Sequence, residues 1–267
     1  MSSLQFSSLG SGSKGNATLI RYHDCLLLVD CGFTLKETQK RLLRLGVSAE
    51  ELSAVIVTHE HSDHIGGVGP LARKYKVPVY MTPGTLRSRD IGQIPNINLI
   101  KSYQAFTIGS VEITPVAVPH DATEPAQYIF SAGQSRLGIL TDLGSITPHV
   151  EMHYQSCDGL ILEANHDPLM LASGQYPPSL KQRVGGPWGH LSNQQAADFL
   201  WRIDRSKLQH LVVAHISQQN NTLNLAQDAF EDVQQPIQKV HYACQDQGFD
   251  WISLVAADNE QHYIETN

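Results

Sequence analysis

No stretch of this chain is apolar for long enough to cross a bilayer, and its longest hydrophobic runs are strand-sized. Residues 1–16 carry neither a basic leader nor an apolar core of the secretory kind, so no signal peptide and a cytoplasmic location are expected. The four cysteines, Cys25, Cys31, Cys157 and Cys244, form no CxxC pair. That leaves a zinc ribbon without support and points to buried thiols in a reducing compartment. Positive charge is scarce: 19 Lys and Arg face 26 Asp and Glu, for a formal net charge of −7. A surface built to coat nucleic acid is thereby disfavoured. A local cationic site is not, because bound metal ions bring charge of their own. No internal period of the solenoid kind is present.

What the chain does have is core material. Hydrophobic residues make up 41% and charged residues 17% of 267, an ordinary globular balance. A single domain spanning 1–267 is expected. Apolar runs at 4–9, 17–22 and 25–30 read as strands, the last two as a hairpin about His23 and Asp24. A helix at 35–45 stops at Gly46, a buried strand follows at 54–58, a helix at 66–76 ends before Pro78, and 77–81 is a strand. Such alternation indicates layered α/β architecture. Mostly antiparallel strands are expected at 107–108, 111–118, 127–130 and 137–140. Strands at 159–163 and 211–214 follow, with helices at 192–203, N-capped by Ser192, and 223–233. Closing strands are expected at 240–242 and 250–255. Residues 168–189, with Pro177-Pro178 and Gly185-Gly186-Pro187, read as loop. Together these predict two sheets packed face to face with helices outside.

The most informative segment is His59-Glu60-His61-Ser62-Asp63-His64, directly after the run at 54–58. A packed core has no use for three imidazoles and a carboxylate in six residues, whereas two adjacent metal ions do. His59 and His61 share a side only if the chain is extended there. Asp63 and His64 then follow in a turn and can point to a second ion. The bland alternative is a solvated polar turn. His120, Asp142 and His215 each close or follow an apolar run, so separate strand ends can converge on one rim. Read singly, each is explained at least as well as an ordinary loop residue.

These residues together resemble the metallo-β-lactamase superfamily, whose fold is a four-layer αββα sandwich with metals at one edge between the sheets. The wording is nearer still to its bacterial YycJ/WalJ-like branch. The phrases are GSGSKGN at 10–16, HEHSDHIGG at 59–67, PHDATEP at 119–125, EANHD at 163–167, GHLSN at 189–193 and HISQQNN at 215–221. The resemblance covers nearly the whole chain. It implies that His59, His61 and His120 hold one divalent ion and Asp63, His64 and His215 another, with Asp142 bridging both. Four ligands for each ion leave room for a shared water. Nitrogen and carboxylate donors without thiolate favour zinc and also accept manganese or iron. Asp30 ends a strand beside this rim; it either accepts the spare N–H of a ligand imidazole or caps the turn.

The branch is regarded as nuclease-like, so the resemblance implies a phosphodiesterase acting on DNA or RNA through a metal-bridging hydroxide. Two ions about 3.5–4 Å apart acidify a shared water and clamp the attacking and leaving oxygens. Asp63 would orient that hydroxide or take its proton. The related tRNA 3′-processing endonucleases carry a glutamate after a strand and a histidine in a turn before a helix, thought to protonate the leaving group. Glu163 and His190 match that layout, although His190 equally suits helix capping. Backbone amides and small side chains from Ser11 to Asn16, with Ser13 and Asn16 as the substrate contacts, form either an anion-binding nest or only a tight turn. Asn165 is expected to hydrogen-bond a phosphate oxygen, His166 to line the same edge, and Asp167 to orient His166. Lys181 and Arg183 are the best basic pair for a nucleic-acid backbone, with Trp188 as a stacking surface. A solvated loop around a buried tryptophan is the alternative. Arg73, Lys74, Lys76, Arg87 and Arg89 read as ordinary helix-surface charges. The large inserted domain of β-CASP nucleases and the glycine-rich arm of tRNA-processing enzymes are both absent, which counts against a tRNA-specific enzyme. The rivals are a small-molecule hydrolase of the same fold, acting on a thioester, lactone or cyclic phosphodiester, and a non-catalytic metal sensor.

Overall fold

A computed structural model of the chain describes residues 3–233 and 235–255. The first sheet begins with β1 (Leu4–Gly10), β2 (Ala17–Tyr22) and β3 (Cys25–Val29). It continues through helix α1 (Leu35–Arg44), β4 (Ala54–Ile56), the one-turn helix α2 (Ser62–Ile65), α3 (Val68–Tyr75), β5 (Val79–Met81), α4 (Pro83–Ser88) and β6 (Ile97–Leu99). The second contains β7 (Phe106–Ile108), β8 (Val111–Ala117), β9 (Ala126–Ala132), β10 (Ser135–Leu140), α5 (Pro148–His153) and β11 (Gly159–Glu163). Helices α6 (Pro168–Ser173), α7 (Pro178–Val184) and α8 (Asn193–Arg202) follow, then β12 (His210–Ala214), α9 (Leu223–Phe230) and β13 (Lys239–Tyr242). The last strand, β14 (Phe249–Leu254), returns to the first sheet and pairs antiparallel with β1.

The strand orders are β14-β1-β2-β3-β4-β5-β6 and β13-β12-β11-β10-β9-β8-β7. In each sheet one side is antiparallel and the other parallel: β3 to β6 run parallel, as do β10 to β13. Parallel strands buried on both faces are written as unbroken apolar runs, and β3 (CLLLV) and β11 (GLILE) are buried at every position. One apolar cluster lies between the sheets, drawing Phe6, Leu27 and Ile56 from one and Tyr128, Ile139 and Val212 from the other. A second fills the space between the second sheet and its helices, with Phe199 and Phe230 facing Leu162 and Val213. A third does the same for the first sheet, with Leu42 and Leu71 against Leu28 and Val55. Three apolar layers separate four layers of structure, the αββα sandwich.

Three expectations need correction. Residues 168–189 are not loop but hold α6 and α7, each opened by a proline, the one helical position where its missing N–H costs nothing. The Thr-Pro pairs at 82–83 and 147–148 open α4 and α5 in the same way, the threonine capping and the proline leading. Helix α3 begins at Val68, two residues later than expected, because Gly66 and Gly67 form the corner between α2 and α3. No helix among the described residues is long and apolar enough to cross a membrane.

Candidate metal centre

The parallel strands deliver polar residues to one edge. Asp30 follows β3, Asp142 follows β10, Glu163 ends β11 and His215 follows β12. His59 lies just beyond β4, and His120 is reached from β8 through Val118 and Pro119. Asp30, Asp142 and His215 all take left-handed backbone, with φ of 60°, 55° and 56°. Such conformations cost roughly 1–2 kcal/mol each for non-glycine residues. They persist where packing over-determines them, commonly at functional sites.

Donor atoms lie within 4.8 Å of one another in four groups: His59, His61 and His120; Asp63, His64 and His215; His59, His64 and Asp142; and Asp142, Glu163, His190 and His215. Asp142 Oδ1 is 3.4 Å from Nε2 of both His64 and His215. The tautomers follow from the partners. The Thr58 hydroxyl gives its one proton to Asp30 Oδ2 at 2.8 Å, so it accepts from His59 Nδ1 at 2.9 Å and leaves Nε2 bare. His64 Nδ1 donates to Asp30 at 2.8 Å, His120 Nδ1 to the Gly189 carbonyl at 3.1 Å, and His215 Nδ1 to Glu163 at 3.0 Å. Each then offers Nε2. His61 is reversed: its Nε2 donates to the Asp121 carbonyl at 3.2 Å, and its Nδ1 lies 3.3 Å from His120 Nε2. Anchoring one ring nitrogen to an acceptor fixes the other as a ligand atom. Asp142 Oδ2 and Nε2 of His59 and His215 are buried without a hydrogen bond. These orphaned donors fit divalent cations.

The site is charged through and through. Burial alone would lower the pKa of His64, yet Asp142 and Asp30 hold it well above the usual imidazole value. Burial, reinforced by the neighbouring His64, pushes His59 well below. Against the cost of burial, His215 and His64 hold Asp142 far below the ordinary carboxylate range. Glu163 is likewise buried, but His190 and His215 bring it down to about 2.

An open cavity of about 500 Å³ covers this centre, and His61, Asp63, Asp142, His190 and His215 reach it. Of the expected substrate contacts, Ser13, Asn165 and Arg183 line it, and Asn16, His166 and Lys181 do not. Asn16 is buried, its amide reaching Asp63 Oδ2 at 3.3 Å and the Gly12 carbonyl at 3.1 Å. His166 is buried behind the wall, and Lys181 turns its ammonium to the Ala172 carbonyl at 2.6 Å. Four of the six amides from Ser11 to Asn16, those of Gly12, Lys14, Gly15 and Asn16, are taken by Asn16, Gln245, Gly12 and Asp63, which favours the tight turn over the anion nest. Asp167 caps α6 through the Met170 amide at 2.8 Å instead of orienting His166. Trp188 is 60% exposed, not buried, and lies outside the cavity wall. Cys244 is exposed, unlike the other three cysteines.

Glu163 is fully buried. Its oxygens accept from the amides of Leu191 and Asp142 and from Nδ1 of His190 and His215, at 2.7 to 3.0 Å. It has no surface for a substrate and acts on the cavity only by fixing His190 and His215. The sequence reading missed Asp121, whose Oδ2 pairs with Arg183 and whose Oδ1 is 3.4 Å from His120 Nε2. Its signal was adjacency to His120. Arg89, read as a surface charge, and Tyr176 also line the cavity.

The Beta-lactamase superfamily domain matches residues 26–216. The chain belongs to the metallo-β-lactamase superfamily. Within it, the chain is 35% identical over 234 residues to exodeoxyribonuclease YycJ of Bacillus anthracis, covering 86% of this chain and 89% of that protein. It is also 35% identical over 228 residues to exodeoxyribonuclease WalJ of Streptococcus pneumoniae, covering 83% and 85%. These relatives put it in the YycJ/WalJ branch of the superfamily. Among solved structures, the metallo-β-lactamase fold protein YhfI of Bacillus subtilis superposes with a TM-score of 0.73 at 19% identity, covering 94% of this chain and 99% of that one. That likeness is one of fold.

Proposed function

We propose that this superfamily member is a dinuclear metal-dependent phosphodiesterase that cuts nucleic acid, with DNA the favoured substrate. The observation that carries the reading is the convergence of two three-residue donor sets on one shared carboxylate, Asp142, at the floor of an open cavity. His59 Nε2, His61 Nδ1 and His120 Nε2 would hold one ion; Asp63 and Nε2 of His64 and His215 would hold the other. Zinc suits these donors best, with manganese and iron also compatible. When bound, such ions supply acidified water and positive charge across the attacking and leaving oxygens.

The chain's own groups do the rest. Asp30 locks Thr58 and His64, so that His59 and His64 meet the site in one tautomer. Glu163 locks His190 in the same way, committing Nδ1 and turning Nε2 to the cavity, where the cationic form of the ring would hold a proton on that nitrogen. His190 is stacked on His215, ring centroids 5.2 Å apart, which sets that nitrogen beside the reacting centre. We assign it the delivery of a proton to the departing oxygen, with Glu163 as its positioning residue. Asp63, held by Asn16, would orient the attacking water. The names of the YycJ and WalJ relatives support a DNA substrate. A cytoplasmic site of action suits the unpaired thiols.

The test is a substrate panel with zinc, manganese or iron restored to the purified protein: bis-p-nitrophenyl phosphate, single- and double-stranded DNA and RNA oligonucleotides, and a thioester. Shortening of DNA oligonucleotides is the expected result. Turnover of the thioester with every oligonucleotide left intact would replace the reading with a small-molecule hydrolase.

A further inference from the structure

Two clefts meet at Arg89. This residue lines the cavity over the metal centre, and also a second cleft of about 250 Å³ bounded by Gly66, Gly69, Arg73 and Gly92. Arg73 is fixed across that second cleft: its Nη1 donates to the Ile91 carbonyl at 2.7 Å. A Cβ on Gly69 would come within 3.0 Å of the same nitrogen, and one on Gly92 within 2.7 Å. Gly92 also has a φ of 73°, which a side chain would resist. The guanidinium uses one donor on the protein and retains the others.

Charge points the same way. Arg21, Arg41, Arg44, Arg183 and Arg202 each meet a carboxylate; Arg73 and Arg89, like Arg87, Arg136 and Arg205, form no ion pair among the described residues, and only these two share a cleft beside the cavity. Asp90, in the same wall, accepts from the Gly92 amide through Oδ1 at 2.8 Å and keeps its negative charge. In a chain of net charge −7, two guanidinium groups against one carboxylate still leave this cleft locally positive where the cavity continues outward. Their planar donor forks match phosphate oxygens.

We propose that this cleft is a second phosphate subsite, where Arg73 and Arg89 hold the backbone of the substrate strand one or more nucleotides from the bond being cut. The proposal rests on the nuclease reading and adds to it a reason to favour strands that extend beyond the cavity. The test compares wild type with Arg73→Gln, which retains a donor for the Ile91 carbonyl but no charge, and with Arg73→Lys. Among the described residues Arg73 makes no hydrogen bond or ion pair with the metal site, so turnover of bis-p-nitrophenyl phosphate and a dinucleotide should be unchanged in both variants. On a single-stranded decanucleotide, Arg73→Gln should raise KM roughly fivefold to tenfold, and the slope of log KM against log salt should fall by about 0.7. Arg73→Lys should recover most of that loss, and adding Arg89→Gln to Arg73→Gln should deepen it. Identical KM and salt slope for wild type and Arg73→Gln on a decanucleotide that wild type cuts would overturn the subsite alone. A wild type that turns over bis-p-nitrophenyl phosphate and cuts no oligonucleotide would overturn the nuclease reading, and the subsite with it.

Discussion

At the residue scale, one buried carboxylate stands behind each half of the centre. Asp30 orders His59 and His64, through Thr58 and directly; Glu163 orders His190 and His215. Neither carboxylate lines the cavity, so each works by deciding which nitrogen its histidines present. His190 reaches the cavity and shares a donor group with Asp142, Glu163 and His215, but belongs to neither of the two three-residue sets proposed to hold the ions. His190→Ala should therefore keep its metal content while slowing DNA cleavage about 10²–10⁴-fold, the range expected for loss of a general acid. The loss on bis-p-nitrophenyl phosphate should be much smaller, since nitrophenolate leaves without a proton. Metal analysis alongside rates on both substrates checks this, and an equal loss on the two would contradict the proton-donor role.

At the element scale, the metal loop is stitched to the first sheet by backbone bonds as well as by the side chains of Asn16 and Asp30. The Asn16 amide donates to the Asp63 carbonyl at 2.8 Å, Cys31 to His64 at 2.7 Å, and Gly67 back to Cys31 at 2.7 Å. Gly32 passes so close beneath that a Cβ there would sit 1.7 Å from the Asp63 carbonyl oxygen. Gly32→Ala must push α2 away from β3. It should cost about 1–3 kcal/mol of stability as an overpacking change and loosen the ion at Asp63, His64 and His215 before the one at His59, His61 and His120. Denaturant midpoints and metal stoichiometry test it; a variant with unchanged midpoint and metal content would refute the stitching. This seam also marks how far elements were legible in the sequence. The buried strands were found because burial is written directly as apolar runs, whereas the three-residue, half-exposed edge strand β6 was missed. The short helices α4 to α7 were passed over because six or seven residues carry no amphipathic period, although the Thr-Pro and Asp-Pro starts of α4, α5 and α6 and the Pro-Pro start of α7 were present.

At the scale of the whole molecule, the order of motifs along the chain announced the sandwich, because only parallel strand ends gathered on one edge bring residues 59, 120, 142 and 215 together. The direction of each side chain was not legible. Asn165 and His166 are neighbours in sequence, yet one lines the cavity and the other lies behind it. Arg89 reads as a helix-surface charge until two clefts are seen to share it. The same edge has an energetic consequence. Asp142 Oδ2 and Nε2 of His59 and His215 are buried without partners, and each such atom costs roughly 1–3 kcal/mol in the protein alone. Metal binding relieves that cost and, at a hundredfold excess over Kd, adds about 2.7 kcal/mol per ion. The wild-type protein should thus melt several degrees higher with zinc or manganese than after chelation. His59→Leu removes one orphaned nitrogen from the buried rim, so the metal-free variant should melt no lower than metal-free wild type while losing at least half of the metal-dependent gain. Thermal unfolding of both proteins, with metal and with chelator, decides the point. A wild type whose midpoint ignores the chelator would mean that these buried donors serve no cation.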